Sequence, residues 1–150
     1  MTSNKNTMSE FVAITDAPFR IQRGSDIDKD FDFNLRNPDV SKSSVLMFRL
    51  NTFETETETE TETETGLVMP TVKINGEGLM TEHPDQLFGG DAHRTLHEVV
   101  APGILRPGEN NIEFSVSTDT PGLARVSDVV LLWQSTRSFL FPQFLRAFGG

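Results

Sequence analysis

The chain has 150 residues, a length that fits one domain with one hydrophobic core rather than two independent domains. It contains no cysteine, which excludes disulfide bonds, thiol catalysis and thiolate metal sites. Its net charge is −9, and its basic residues are scattered, so we do not expect nucleic-acid binding, which depends on clustered Lys and Arg.

The two ends differ from the middle of the chain. Residues 1–9 are polar, which predicts a flexible N-terminal arm before a domain over residues 10–136. The start of the chain has no apolar signal region, so we expect cytoplasmic synthesis, compatible with a place in a virion or an extracellular assembly. No run reaches the roughly 18 apolar residues that span a bilayer.

Four aspartates occupy alternate positions early in the predicted domain. Asp26, Asp28, Asp30 and Asp32 are spaced like the first half of a calcium loop. An EF-hand loop needs Gly at its sixth position, where Phe31 stands, so the motif is not an EF-hand. A looser Ca²⁺ site at Asp26, Asp28 and Asp30 and a solvated strand edge remain as alternatives.

Period-two alternation of apolar and polar residues predicts most of the remaining elements as strands. The alternating apolar residues are Phe31, Phe33 and Leu35; Leu46, Phe48 and Leu50; and Ile112, Phe114 and Val116. A further strand, Val129 to Trp133, is apolar on both faces, as expected in the middle of a sandwich. With Asn-Gly and Pro-Gly turns between strands, the fold class is all-β, an antiparallel β-sandwich of jelly-roll type.

Six Glu-Thr pairs occupy residues 54–65, between two predicted strands. Without these glutamates the chain has 13 basic and 16 acidic residues, or −3, so much of its acidity is local. Carboxylates at alternate strand positions stand about 7 Å apart and repel one another, so a shared ion and a free β-ladder are both disfavoured. We interpret the run as a solvent-facing loop or hairpin that protects a sheet edge.

His93 and His97 are four residues apart, with Asp91 and Glu98 nearby. On a helix this spacing places two imidazoles on one face, as in zinc sites. On the strand predicted here, the two residues are about 13 Å apart, too far to share an ion.

The C-terminal arm, residues 137–150, is rich in phenylalanine. Its large apolar residues are Phe139, Leu140, Phe141, Phe144, Leu145 and Phe148. Two interpretations stay open: the arm folds back over its own sandwich, or it docks on a neighbouring subunit.

Three stretches resemble the second half of a galactose-binding-like jelly roll, the β-sandwich of many carbohydrate-binding modules and discoidin-type domains. In that family an Asn-Gly turn precedes a Leu-x-x-Gly-x-Asn-x-Ile segment and a closing apolar strand. The matching residues are Ile74, Asn75 and Gly76; Leu105, Gly108, Asn110 or Asn111, and Ile112; and Val129 to Trp133. The resemblance covers about residues 31–134 and implies the fold more strongly than the function.

The resemblance also implies sugar binding by stacking on loop aromatics. The chain has no Tyr, and its one Trp is in the predicted closing strand, so stacking would fall to Phe53 or Phe88. No Gly-x-Ser-x-Gly elbow or phosphate loop occurs, and we expect no enzymatic activity.

Our main hypothesis is therefore a structural or assembly protein, such as a virion, filament or cell-surface component, that associates with itself through its arms. The alternative is a carbohydrate-binding module. A third hypothesis is a small domain stabilised by calcium.

Overall fold

The computed structural model describes residues 6–22, 27–53, 70–79, 92–116 and 123–137. All regular elements within these ranges are strands. They are β1 (Asn6–Thr15), β2 (Phe19–Gln22), β3 (Asp28–Leu35), β4 (Ser44–Phe53), β5 (Thr71–Ile74), β6 (Glu77–Gly78), β7 (Ala92–Val100), β8 (Gly108–Ser115) and β9 (Leu123–Arg137). Within the same ranges, no helix is long and apolar enough to cross a bilayer.

The strands form two antiparallel sheets, so the predicted all-β sandwich is confirmed. The larger sheet has the order β1-β9-β4-β7, and β2 pairs with the first part of β9, beyond the end of β1. The smaller sheet has the order β3-β8-β5-β6. The long strand β9 is thus central in the larger sheet, as its apolar sequence predicts.

The core lies between the two sheets and is built from the alternating apolar residues. Phe48 of the larger sheet and Phe114 of the smaller sheet are fully buried and meet edge to face, 5.4 Å between ring centroids. Phe19 of β2 contacts Phe114 and Phe31 of the smaller sheet at 5.3 and 5.0 Å. Such aromatic pairs add about 0.5–1.5 kcal/mol each beyond the burial of their surface, and here they join the two sheets.

A bulge in β9 changes which residues face the core. Ala124 and Val126 are buried before it, whereas Val129 and Leu131 are buried after it, so the inward-facing positions switch from even to odd numbers. Asp128 is the extra residue of the bulge. Its φ is positive, 51°, a conformation that Asp adopts more readily than most residues. The pairing with β4 shifts register at the same place.

Asparagines hold together the two turns that carry the family resemblance. Asn75 and Gly76 both have positive φ, as a tight hairpin turn between β5 and β6 requires. The Asn75 amide donates to Asn110 Oδ1 at 2.8 Å and to the carbonyl of Ile104 at 2.9 Å, and Asn75 Oδ1 accepts from the backbone of Asn111 at 2.9 Å. The two turns therefore form one hydrogen-bonded unit.

The structure also decides between Asn110 and Asn111 as the asparagine of this motif. Asn110 is 1% exposed, and its side chain binds the backbone N–H and carbonyl of Arg106 and the carbonyl of Gly108. The Asn111 amide instead donates to the exposed carboxylates of Asp30 and Asp32. Asn110 is the residue that organises the turn.

The predicted domain boundaries need correction at both ends, since Arg137, assigned to the C-terminal arm, is the last residue of β9. Residues 6–9, assigned to the flexible arm, belong to β1 and pair with β9 as far as Arg137. Backbone pairing explains this, because ladder hydrogen bonds form between main-chain groups and need no apolar side chain. The Glu-Thr run, residues 54–65, and residues 138–150 of the C-terminal arm lie outside the described residues.

Candidate functional site

A small pocket lies at one end of the larger sheet. Its volume is about 130 Å³. The residues that line it are Arg49, Leu50, Asn51, Arg94, Arg125 and Ser127. We call it the arginine pocket, because three of these six residues carry a guanidinium group.

Strand register brings the pocket residues together. Asn51 of β4 is opposite Arg125 of β9, and Arg49 is opposite Ser127. Directly opposite residues share one face of an antiparallel sheet. Leu50 lies between Arg49 and Asn51 and is buried in the core. Its two neighbours, and the residues opposite them on β9, therefore belong to the outer face.

The bulge and the edge strand complete the site. Because Asp128 shifts the alternation of β9, Arg125 and Ser127 before it share the outer face with Val130 and Leu132 after it. Arg94 comes from β7, the neighbour of β4 in the larger sheet, at the position opposite the core residue Leu50. It therefore belongs to the inner-facing side of its strand, and Leu50 and Arg94 line the pocket from that side. Three strands that are distant in sequence thus contribute to one pocket.

Half of the pocket residues are arginines. Among its described lining residues, three have guanidinium groups and none has a carboxylate. The Arg49 guanidinium lies 3.5 Å from the Asp128 carboxylate beside the pocket, and both side chains are about half exposed, an arrangement that stabilises a fold by less than ~1 kcal/mol. Arg20 adds a further exposed cation, because it is opposite Arg125 on β2.

The outer face of the larger sheet also carries apolar side chains at some distance from the pocket. On β4 they begin at Val45, four residues before Arg49, which is about 13 Å at the usual rise of a strand. Phe11, Leu132, Val45 and Val99 stand opposite one another across β1, β9, β4 and β7. Phe11 is 71% exposed, Val99 66% and Leu132 41%. We call these four residues the apolar row. Exposed apolar surface that crosses four strands is typical of an interaction site.

The histidine motif does not form a metal site among the described residues. Residues 92–100 form a strand, as predicted, so His97 is exposed while its neighbour Glu98 points inward and is 4% exposed. The side chain of His93 and all of Asp91 lie outside the description. No group of three or more His, Asp or Glu able to hold a metal occurs in the described ranges.

Glu98, which the sequence analysis named only as a neighbour of the two histidines, is a carboxyl group in the core. Burial raises its pKa from the ordinary 4.5 to about 7, because the charged form loses its hydration. Its position opposite Leu46 on β4 puts it on the inner face of the sheet, and it is not among the residues that line the arginine pocket.

The calcium prediction is only partly covered by the structure. Asp28 and Asp30 lie on β3 with exposed side chains, and Asp30 accepts a hydrogen bond from Asn111 at 3.0 Å. Asp26 lies outside the described residues. A Ca²⁺ site that includes Asp26 therefore stays a prediction.

Of the residues predicted to stack on a sugar or to dock on a partner, the structure describes only Phe53, and it describes only the backbone of that residue. Phe53 ends β4, two positions beyond Asn51, and pairs with Leu123. Phe88 lies outside the described residues. The same applies to the six predicted docking residues, Phe139, Leu140, Phe141, Phe144, Leu145 and Phe148.

Sequence reasoning missed the arginine pocket. The sequence of β4 contained one indication of the site: Arg49 and Asn51 stand on either side of the apolar Leu50, so they share the polar face of the strand. The contributions of Arg94 and Arg125 depend on strand pairing and on the bulge in β9, which sequence periodicity alone does not reveal.

Comparison with known proteins gives matches at the level of fold. A β-porphyranase of glycoside hydrolase family 86 from the human gut bacterium Bacteroides plebeius aligns with a TM-score of 0.60 at 16% identity, over 89% of this chain and 22% of that one. A GH86 protein in complex with neoagarooctaose aligns with a TM-score of 0.55 at 17% identity, over 91% of this chain and 21% of its own. Dimeric latent PorU from Porphyromonas gingivalis gives 0.54 at 11% identity, over 88% and 13%.

These likenesses support the predicted antiparallel β-sandwich at the level of fold. The chain spans about a fifth or less of the length of these three proteins. No protein-family model matches the chain, and no curated protein matches it.

Proposed function

We propose that this chain is a non-catalytic carbohydrate-binding module that holds an oligosaccharide at the end of its larger sheet where the arginine pocket lies. The observation that carries the proposal is the arginine pocket, which three arginines, an asparagine and a serine line together with Leu50. Two of the similar structures support it, because one is a β-porphyranase and the other is in complex with neoagarooctaose.

The chemistry of the pocket suits a sugar. Each guanidinium has five N–H donors in one plane. Ser127 adds a hydroxyl that both donates and accepts. Convergent donors of this kind fix the orientation of sugar hydroxyls in a pocket.

The distribution of carboxyl groups favours binding over hydrolysis. Glycoside hydrolysis usually needs two carboxyl groups about 5–10 Å apart on either side of the scissile bond. Glu98 has the raised pKa of a general acid, but it faces the core. The described pocket lining supplies no carboxylate of its own.

The test is an array of plant and algal oligosaccharides that includes neoagarooctaose, followed by calorimetric titration of any hit. We expect Arg125→Ala to weaken binding at least ~10-fold, the equivalent of about 1.4 kcal/mol, because it removes a planar donor group from the pocket. The matched control is Arg106→Ala, an exposed arginine on a turn of the smaller sheet. Equal affinities for the two variants, or an array without signal, would refute the proposal.

A second candidate function is self-association, and the apolar row favours it. Phe11 and Val99 are more than half exposed on a face that crosses four strands. We infer that residues 138–150 of a second copy occupy this row. The segment follows β9, which carries Leu132 in the row, and it contains six large apolar residues.

Size-exclusion chromatography tests this second function. The intact chain should elute as an oligomer, and both deletion of residues 138–150 and Phe11→Ser should give a monomer, because each removes one side of the contact. Val40→Ser is the control, since Val40 is 42% exposed in a turn outside the row. A chain that is monomeric before and after the deletion contradicts the idea.

A further inference from the structure

We propose that Asn75 is a site of spontaneous deamidation that the fold protects, so that its amide is lost only when the turn between β5 and β6 opens. The proposal is independent of sugar binding. Three observations support it: the Asn-Gly sequence, the hydrogen bonds of the Asn75 side chain, and the groups that the modified side chain would face.

The Asn75-Gly76 pair has the residue order that favours this reaction. Deamidation begins when the backbone nitrogen of the next residue attacks the asparagine Cγ, and a side chain on that next residue hinders the approach. The chain has eight asparagines, and Asn75 is the one that glycine follows. Gly76 is exposed, and an added Cβ there would contact nothing within 4 Å, so water reaches the turn.

The reaction is balanced with water as its one co-reactant. The Gly76 nitrogen forms a bond to Asn75 Cγ and gives up its proton, the Cγ–Nδ2 bond breaks, and Nδ2 leaves as ammonia. Water then opens the five-membered imide at either of its two carbonyl carbons. The products are aspartate and isoaspartate, and in isoaspartate the main chain runs through Cγ and is one carbon longer.

Hydrogen bonds hold the Asn75 side chain away from this reaction. Nδ2 donates to Asn110 Oδ1 at 2.8 Å and to the carbonyl of Ile104 at 2.9 Å, and Oδ1 accepts from the backbone of Asn111 at 2.9 Å. Imide formation requires the side chain to rotate toward the Gly76 nitrogen and to lose these partners. One such bond changes an equilibrium about fivefold, so together they should slow the reaction at least ~10-fold.

The acceptor on Asn110 is itself fixed in place. Asn110 is 1% exposed, and its amide donates to the carbonyls of Arg106 and Gly108. Its Oδ1 also accepts from the backbone N–H of Arg106. Asn110 therefore does not follow the Asn75 side chain when that side chain rotates, and modification of Asn75 requires the two turns to separate.

The product does not fit the closed turn. Aspartate at position 75 has only acceptors where Nδ2 was a donor, and it would face two further acceptors, Asn110 Oδ1 and the Ile104 carbonyl. A partly buried carboxylate without a donor is unfavourable, and isoaspartate adds an atom to the main chain of a tight turn. Deamidation therefore makes a transient opening of the turn irreversible.

The experiment follows modification of Asn75 in the full chain by peptide mass mapping, during incubation at 37 °C in mildly alkaline buffer. It compares the native chain with the chain unfolded in urea. We expect Asn75 to deamidate at least ~10-fold more slowly in the native chain. Urea below the unfolding transition should raise the native rate, because it raises the population in which the turn is open.

Variants assign the protection to Asn110. Asn110→Ala should deamidate at Asn75 several-fold faster than the wild type, in buffer where circular dichroism shows that the variant is folded. Asn111→Ala is the matched control and should keep the wild-type rate. It retains the backbone N–H that binds Asn75 and loses only contacts to the exposed Asp30 and Asp32. Asn75→Asp, which reproduces one product, should unfold at a lower urea concentration than the wild type.

Each outcome gives a decision. Equal rates in the native and the unfolded chain overturn the proposal, and so does faster deamidation of another asparagine in the unfolded chain. A folded Asn110→Ala variant that deamidates no faster than the wild type overturns the role of the hydrogen bonds. If that variant does not fold, a native rate that stays constant in urea below the transition overturns it instead. An Asn75→Asp chain as stable as the wild type overturns the irreversibility.

Discussion

Replacing Asn110 with alanine is expected to lower the free energy of unfolding by about 3 kcal/mol. The side chain is 1% exposed and makes four hydrogen bonds of 2.8–3.1 Å, to Asn75, Gly108 and both backbone groups of Arg106. A buried hydrogen bond contributes about 1 kcal/mol net, and its loss leaves the partner groups without a bond. Chemical denaturation, followed by the fluorescence of the single, buried Trp133, measures the change.

Asn111→Ala is the matched control, with the same chemical change one residue along the chain. The Asn111 side chain binds Asp30 and Asp32 at the exposed face, where water replaces a lost bond. We expect a loss below about 1 kcal/mol. Similar losses for the two variants would contradict the assignment of Asn110 as the residue that organises the turn.

The second large effect concerns Glu98 and pH. Its pKa rises from 4.5 to about 7 in the folded chain through burial, so the folded state holds this proton more tightly than the unfolded state. Stability from this group is complete below about pH 4.5 and is lost as the pH rises to about 7. At 1.36 kcal/mol per pH unit, the loss is on the order of 3 kcal/mol.

Glu98→Gln should remove this pH dependence. The amide has a similar shape and does not ionise, so the variant should match the wild type near pH 4 and be more stable above pH 7. Unfolding free energies measured from pH 4 to pH 8 test the difference between the two proteins. Subtracting the unfolding free energy of the wild type from that of the variant at each pH removes the contribution of titrating groups that do not interact with Glu98.

The control for this prediction is Glu109→Gln, because Glu109 is an exposed carboxylate on β8. It should leave the shape of the stability curve unchanged. If Glu98→Gln also follows the wild-type curve throughout, Glu98 is ionised at neutral pH in the folded chain and the raised pKa is wrong.

Much of the fold was predictable from period-two patterns. Phe33, Phe48 and Phe114 are buried as their alternation indicates, because one face of each strand must leave water. The Asn75-Gly76 turn was equally predictable. Such a turn needs a positive φ at two consecutive positions, and few residue pairs other than Asn-Gly adopt it readily. These features depend on neighbours in sequence.

The candidate site was much less predictable. Arg94 and Arg125 are 31 positions apart in sequence, and only their separate pairing with β4 brings them to one pocket. The motifs that stood out along the chain, the alternating aspartates and the paired histidines, do not form a metal cluster within the described residues. In a strand, residues two or four positions apart are about 7 or 13 Å apart, which is too far for both side chains to bind one ion.

By itself, the sequence determined that this protein is an all-β sandwich, which residues of most strands face the core, and where two turns lie. The tertiary structure alone decided the location of the arginine pocket, the choice of Asn110 over Asn111, and the burial of Glu98. The physical reason is that alternation is a local property of the chain. Register, the bulge at Asp128 and the desolvation of a carboxyl group depend on which strands become neighbours.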